Sequence, residues 1–222
     1  MKISAQGFAV LDANRDALLS RYAEAAGRLD HDAGIEVHYL PHIKPGDVVI
    51  DTGAAIGDHT VAYIRKTGDA GLVHAFECNP LMVECLTYNC PGCHIHNVAL
   101  SDKHEQLFFN QIDENAGAGF VGHEPTSVPV SAVPLDSYEL GKVNFIKWDL
   151  EGYEVKAING AFYTISRCRP IMMIEVIPPQ LERSGNTVNE LYDLLAKLEY
   201  KYRAVIGEIN VWPYFELLCE PK

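Results

Sequence analysis

Solid apolar runs alternate along the chain with stretches in which apolar residues recur at helical spacing, and that alternation predicts the elements. "PGDVVIDTG" reads as a turn and then a buried strand. "LVHAFE" (Leu72 to Glu77) is a second strand, "CHIHNVAL" a third, "VNFIKWDLEG" (Val143 to Gly152) holds a fourth and "IMMIEV" (Ile171 to Val176) a fifth. Between them lie helices: "DHTVAYIRKTG", which Gly68 can close, "NPLMVECLTYNC" with Pro80 in its first turn, and "YEVKAINGAFY". "ANRDALLSRYAEAAGRL" (Ala13 to Leu29) reads as a leading helix with Asn14 or Asp12 as cap. "TVNELYDLLAKLEY" is an amphipathic helix, and "KYRAVIGEINVWPYFEL" reads as two closing strands. Apolar strands separated by helices imply an α/β fold, with a mostly parallel sheet covered on both faces.

One stretch departs from this rhythm. From Ser101 to Leu135, "EQLFFNQ" and "VPVSAVPL" suggest an extended excursion with "NAGAGFVG" at its tip, a candidate substrate flap. With no repeat and no low-complexity segment, the 222 residues read as one domain, 1–222, with an N-terminal helical segment over 1–35 and the insertion over 101–135. The formal net charge of −12 speaks against a nucleic-acid partner, whose affinity rests on cations meeting phosphates. No apolar run approaches the roughly 20 residues that span a bilayer. The six cysteines are scattered rather than arranged as a disulfide scaffold. With no leader visible at the start, the expected compartment is the cytoplasm.

The candidate chemistry begins at "VVIDTGAAIGDHTVAY", where a strand meets a glycine turn and then a helix. In a doubly wound sheet the ligand lies beyond the carboxyl ends of the strands. Asp51, Gly53 and Gly57 are there, and so is Glu77, twenty residues after Gly57. An acid in that place can accept hydrogen bonds from both hydroxyls of an adenosine ribose, which suits NAD and S-adenosylmethionine alike. A dinucleotide fingerprint starting at Gly53 would need glycine at 55 and 58, where the chain has Ala55 and Asp58. A pyrophosphate would also meet the Asp58 carboxylate, whereas the cationic sulfonium and amino groups of S-adenosylmethionine suit Asp51.

At this point "VVIDTGAAIGDHT", "HAFECNP", "NVALSD", "PLDSY" and "FIKWDLEGYEVKAINGA" together resemble the FkbM-like S-adenosylmethionine-dependent methyltransferases, over roughly residues 36 to 180. The resemblance implies a Rossmann-like class I methyltransferase fold, seven-stranded with its last strand antiparallel, and methyl transfer to hydroxyl oxygens of sugars or natural-product scaffolds. It makes Asp51, Gly53, Ala54 and Gly57 the first cofactor motif, gives Glu77 the ribose, sets Asn79 at its border and places Ala99 and Leu100 beside the adenine. Ala55 departs from the family, which often has Asn there.

By the same resemblance "KWDLEGYE", Lys147 to Glu154, ends the strand that faces the transferred methyl. Such transfer needs an acceptor oxygen placed behind the methyl and a group to take its proton. Asp149 and Glu151 are the candidates. Glu151 could instead cap the next helix, and Glu154 reads more simply as a solvated acid in a first helical turn. Glu175, ending "IMMIEV", points at the same edge of the sheet and could bind substrate or pair with a buried cation. "IPPQ" (Ile177 to Gln180) lacks the polar and aromatic ends of an amino-methyltransferase box and follows the wrong strand. Cys85, Cys90 and Cys93, with His94 and His96, have spacings that touch iron–sulfur and zinc patterns, but packing explains them more simply, and no metal is expected.

The reading is therefore an S-adenosylmethionine-dependent O-methyltransferase for a small hydroxyl-bearing acceptor, with no nucleic-acid or membrane partner. A nucleoside-binding module without catalysis, or a nicotinamide-dependent dehydrogenase, are the alternatives.

Overall fold

The computed structural model describes residues 1–3, 7–11, 37–112, 119–125, 128–207 and 214–222. The leading helix expected over Ala13 to Leu29 and the first half of the "NAGAGFVG" tip lie outside these residues. Two short strands, β1 (Lys2–Ile3) and β2 (Ala9–Val10), form an antiparallel pair near the N-terminus.

A seven-stranded sheet organises the rest. It contains β3 (Val48–Thr52), β4 (Leu72–Phe76), β5 (His94–His96), β10 (Phe145–Trp148), β11 (Ile171–Val176), β12 (Tyr200–Ile206) and β13 (Phe215–Pro221), in the order β12-β13-β11-β10-β3-β4-β5. All contacts from β5 to β11 are parallel, and β13 runs antiparallel to both its neighbours. Alternation sorts the two faces. Ile50, Phe76, Ile146, Trp148, Met172, Ile174 and Leu217 form one core with apolar residues of α3 (Glu154–Asn159), α4 (Phe162–Cys168) and α6 (Val188–Lys197). Val49, Val73, Phe145, Met173 and Leu218 face the other way, against Tyr39, Ile43 and Tyr63, the last on α1 (Asp58–Thr67). The helix α2 (Pro80–Asn89) follows β4, with Asn79 as its cap. Among the described residues no helix is long and apolar enough to cross a membrane.

Three expectations need correction. "CHIHNVAL" is not one strand: β5 ends at His96, and β6 (Ala99–Leu100) belongs to a second sheet with β7 (Glu105–Asn110), β8 (Phe120–Gly122) and β9 (Val128–Val133), in the order β6-β9-β7-β8. The excursion thus has a sheet of its own, whose apolar side packs on Leu150 and Tyr153 beside the end of β10. "YEVKAINGAFY" is two helices, broken at Gly160. The Asp136 carboxylate accepts from the backbone N–H groups of Tyr163 and Thr164 at 3.0 and 2.8 Å, which starts a new helix where one continuous helix was expected. Lastly, "IPPQ" opens an unforeseen helix, α5 (Pro178–Arg183), whose two leading prolines need no intrahelical donor partners.

Gly160, between α3 and α4, is where the helices press on the chain leaving β6. A Cβ there would stand 2.0 Å from the Ser101 carbonyl oxygen. Gly160→Ala should lower stability by about 1–3 kcal/mol, the usual range for overpacking. Differential scanning calorimetry should show this as a Tm lowered by several degrees; an unchanged Tm would mean that the junction yields.

Candidate active site

From β3 the chain turns towards β4 and β5 on one side, and it returns through β10 on the other. The crevice above the ends of β3 and β10 is therefore the switch point at which such sheets bind ligands. Thr52, which the sequence reading passed over, ties the two strand ends together. Its hydroxyl donates to the Lys147 carbonyl at 2.8 Å and accepts from the Asp149 N–H at 3.3 Å. One residue on, Gly53 has φ +71°, and a Cβ there would stand 1.9 Å from the Asp149 carbonyl oxygen. Only glycine fits. Gly57, at φ +96°, starts α1, and a Cβ on it would collide with Cys90 and Leu86.

The loop uses its own donors. Gly53 and Ala54 both give their N–H to the Phe76 carbonyl, Ala55 gives its N–H to Glu77 Oε2 at 2.9 Å, and Gly57 bonds back to Ala54. Phosphate-binding loops need such N–H groups aimed outward at the ligand; here they are engaged within the protein. Ala55 holds φ +47°, a conformation that Asn tolerates better, and its contribution is the backbone donor. The Ala54 side chain is buried with Ala75, Leu86 and Cys90, so it shapes the turn from beneath. Asp51 is also buried, and its carboxylate accepts from the Thr60 hydroxyl at 2.6 Å.

Glu77 stands just past β4, and its other oxygen accepts the Asn79 N–H at 2.7 Å. The backbone N–H groups of Ala55 and Asn79, with that of Cys78 beside them, thus face this carboxylate, and lone-pair capacity remains. Asn79 caps α2 through Oδ1, while its buried Nδ2 has no hydrogen-bond partner among the described residues. Asn97, another residue the sequence reading missed, holds the carbonyls of Glu77 and Cys78 through its amide. Ala99 and Leu100 are both buried, Ala99 in the excursion's small core and Leu100 in the main one.

Beyond β10 the acids gather. One oxygen each of Asp149, Glu151 and Glu175 lies within 4.8 Å of the others. Lys147 supplies positive charge among them: nearly fully buried, it holds Asp149 Oδ2 at 2.6 Å. Burial alone would lower its pKa, but Asp149, Glu216 and Glu175 outweigh that and raise it well above the usual lysine value. Glu175 is pushed well above the carboxylate range by burial and then by the Asp149 charge, against the pull of Lys147. Glu151 does not cap α3. It adopts φ +53°, its Oε2 accepts from Gln180 Nε2 at 2.5 Å, and its carbonyl accepts from Arg183 at 2.6 Å. Burial, then the Asp149 charge, raises its pKa to about 8. Glu154 is not a solvated acid either: it is buried, and its Oε1 accepts from Leu150 N–H at 2.8 Å and Gly152 N–H at 3.2 Å, closing the loop under Glu151.

The thiols and histidines that touched metal patterns are used in packing. Cys93 donates to the Val73 carbonyl at 3.2 Å, Cys85 sits in a core cluster, and His96 pairs with His74 at 3.0 Å.

Burial also lifts Asp51 from 3.8 to about 6, and Glu77 and Glu154 from 4.5 to about 7. With Glu151, these groups bind protons more tightly folded than unfolded, so the stability they contribute is complete below about pH 4 and lost as pH rises through 6 to 8. His74, pushed down to about 4 by burial, acts oppositely, but its contribution is already complete above the ordinary histidine value of 6.5. Urea unfolding should therefore show a lower midpoint at pH 8 than at pH 6.5, and Glu77→Gln should flatten part of that slope. A midpoint that rises with pH would contradict the burial of these acids.

The sequence matches the family model "Methyltransferase FkbM domain" over residues 51–203. No curated protein matches the chain. Solved structures share the fold at low identity. A methyltransferase FkbM from Methylobacillus flagellatus KT aligns with TM-score 0.53 and 16% identity over 85% of this chain, which spans only 51% of that one. A TehB-like SAM-dependent methyltransferase from Corynebacterium glutamicum aligns with TM-score 0.55 and 11% identity, over 91% of this chain and 93% of that one. A putative rRNA-methylase from Clostridium thermocellum gives TM-score 0.55 and 11% identity, over 84% and 93%. The strand order and the antiparallel β13 are those of a class I methyltransferase, and the chain belongs to the methyltransferase FkbM domain family.

Proposed function

We propose that the protein transfers a methyl group from S-adenosylmethionine to a hydroxyl oxygen of a small acceptor, such as a sugar or a natural-product-like scaffold. The observation that carries the cofactor is the pairing of Glu77 with Asn79 beside a loop whose N–H groups are engaged within the protein. Glu77 keeps free lone pairs for ribose hydroxyls, and Asn79 Nδ2 is a buried donor waiting for an acceptor atom. A pyrophosphate finds no comparable set of donors, which disfavours the nicotinamide alternative. In this reading Asp51, Gly53, Ala54 and Gly57 form the first cofactor motif beneath the bound molecule, and Ala99 and Leu100 flank its adenine.

When bound, the cofactor supplies an electrophilic methyl on a cationic sulfonium. The protein's own contribution lies at the end of β10. Asp149 is held by Lys147, so its charge is balanced and its orientation set. Glu151 has the more basic carboxylate and takes the hydroxyl proton; Glu175 stands at the same edge to orient the acceptor. This end carries Asp149, Glu151 and Glu175 against Lys147 and Arg183. A polyphosphate backbone would be repelled there, in keeping with the net charge of −12, so the acceptor is a neutral or cationic small molecule and not RNA. The six unpaired thiols fit a reducing, cytoplasmic setting. A nucleoside-binding module would keep Glu77 and Asn79 without needing a basic carboxylate at Glu151.

Calorimetric titration should detect S-adenosylhomocysteine and fail to detect NAD, and Glu77→Ala should weaken the former by about 1.5–3 kcal/mol, the range for a hydrogen bond to a charged group. Unchanged affinity would remove Glu77 from the site. In a screen of hydroxylated small molecules with methyl-labelled cofactor, Glu151→Gln should cut the rate by about 10²–10⁴ while sparing S-adenosylhomocysteine binding. The wild-type rate should rise with pH through about 8, where Glu151 loses its proton. Asp149→Asn should lower stability as well as rate, because it strands the Lys147 ammonium in the interior. Normal turnover by Glu151→Gln would return the catalytic role to Asp149.

A further inference from the structure

Glu151 is held from outside its own loop, and the holder is on a helix that the sequence pattern did not announce. Gln180 lies in the first turns of α5, and its amide Nε2 donates to Glu151 Oε2 at 2.5 Å. The other end of the same amide, Oε1, is buried and has no hydrogen-bond partner among the described residues. A buried carbonyl oxygen without a donor is costly and rare, so this one calls for a donor that the resting structure does not supply. The backbone fixes the two groups against each other. Gly152, at φ +102°, presses on Gln180 so closely that a Cβ would lie 2.3 Å from the Gln180 carbonyl oxygen. Arg183, one turn along, grips the Glu151 carbonyl at 2.6 Å and lies over the Phe120 ring, 3.7 Å from its centroid.

An amide offers a donor at one end and an acceptor at the other. Facing a carboxylate, Gln180 gives its N–H, as in the structure. Facing a carboxylic acid, half a turn about its last bond brings Oε1 to receive the acid's O–H. The same side chain therefore has a hydrogen bond for Glu151 on either side of a proton transfer, the stronger one to the carboxylate. We propose that Gln180 is a positioning residue that holds the Glu151 carboxyl in both protonation states, its amide turning as the proton arrives and leaves. The inference rests on the reading of Glu151 as proton acceptor and adds the group that keeps it in place through the cycle. Hydroxyl proton to Glu151 and methyl to oxygen leave the balance closed, and Gln180 gains and loses no proton.

The charged groups facing Glu151 set the background for the test. Asp149 at the end of β10, Glu154 at the start of α3 and Glu175 at the end of β11 disfavour its ionised form, and Arg183 on α5 favours it. The Gln180 bond also favours the carboxylate, because it donates to the ionised form.

The experiment is a carboxyl and amide NMR titration of the full chain saturated with S-adenosylhomocysteine. Glutamate labelled with ¹³C at the carboxyl and glutamine labelled with ¹⁵N at the amide give the two probes, and Glu151→Gln identifies the Glu151 signal. In the wild type the Gln180 amide cross-peak should move with the same midpoint as the Glu151 carboxyl, and Glu151→Gln should abolish that movement. Gln180→Met, which keeps the length and removes the amide, should shift the Glu151 midpoint upward by roughly half a pH unit or more while retaining S-adenosylhomocysteine affinity. An amide signal indifferent to the Glu151 titration overturns the proposal and needs no variant to be seen. So does a Glu151 midpoint unmoved in a folded Gln180→Met. Loss of S-adenosylhomocysteine binding in the wild-type titration would instead overturn the methyltransferase reading, whatever Gln180 does.

Discussion

The closeness of two strand ends governs this molecule. β3 and β10 are neighbours in a parallel sheet, yet at their carboxyl ends they part company, one chain leaving for β4 and the other for the acid-rich loop. Thr52 bridges that divergence with one hydroxyl that both donates and accepts, and Gly53 sits so near the Asp149 carbonyl that no side chain can intervene. Were the strands to separate there, the glycine loop would lose its support from β10. The loop itself is clamped from the other side, by the Phe76 carbonyl and by Glu77. Glycine loop and acid loop are thus two sides of one joint, and neither can move far without the other.

Around that joint the protein accepts an unfavourable charge distribution. Asp51, Glu77 and Glu154 are buried and Glu175 and Glu151 half-buried, and burial is the leading cause of every one of their shifts. Lys147 is the buried cation that answers them, and it pairs directly with Asp149. Removing a carboxylate from water is tolerable when hydrogen bonds replace the lost solvent. Glu77 and Glu154 have such bonds from backbone N–H groups, Asp51 from Thr60, and Glu151 from Gln180. The arrangement favours ligands that bring positive charge or proton donors, and a sulfonium and a hydroxyl are both of that kind.

How much of this was legible beforehand depends on the range of the interaction. The β3 strand, its glycine turn and Glu77 follow from local rules: an apolar run, a residue with positive φ, an acid at the next strand end. The parallel sheet followed from the alternation of strands and helices, and its seven strands with an antiparallel last one from the family resemblance. The roles of Thr52, Asn97 and Gln180 did not, because each acts on a residue 20 to 97 positions away and is, by itself, an ordinary polar residue. "IPPQ" shows the failure most clearly. As a motif it was rightly set aside, but rejection of the motif left its glutamine without a role that only packing against Gly152 could reveal. Glu154 erred in the opposite direction. An acid in a first helical turn is usually solvated, and here its carboxylate folds back to close the preceding loop, which a propensity argument cannot see.

The division of labour across the site follows from which elements are free to vary. The glycine-loop side is built from β3, β4 and the start of α2, with its N–H groups engaged by the Phe76 carbonyl and by Glu77. The acid-loop side is walled differently. Glu151 and Gln180 join the end of β10 to α5, and Arg183 reaches from α5 onto Phe120 in β8, the outer strand of the excursion sheet. That sheet has its own small core and meets the main body through Leu150, Tyr153 and the Gly160–Ser101 junction. Its strands can therefore change their outward residues without touching Glu151 or Gln180. For the proposed reaction, this separates the residues that would choose the acceptor from those that would take its proton, and Arg183 is where the two come into contact.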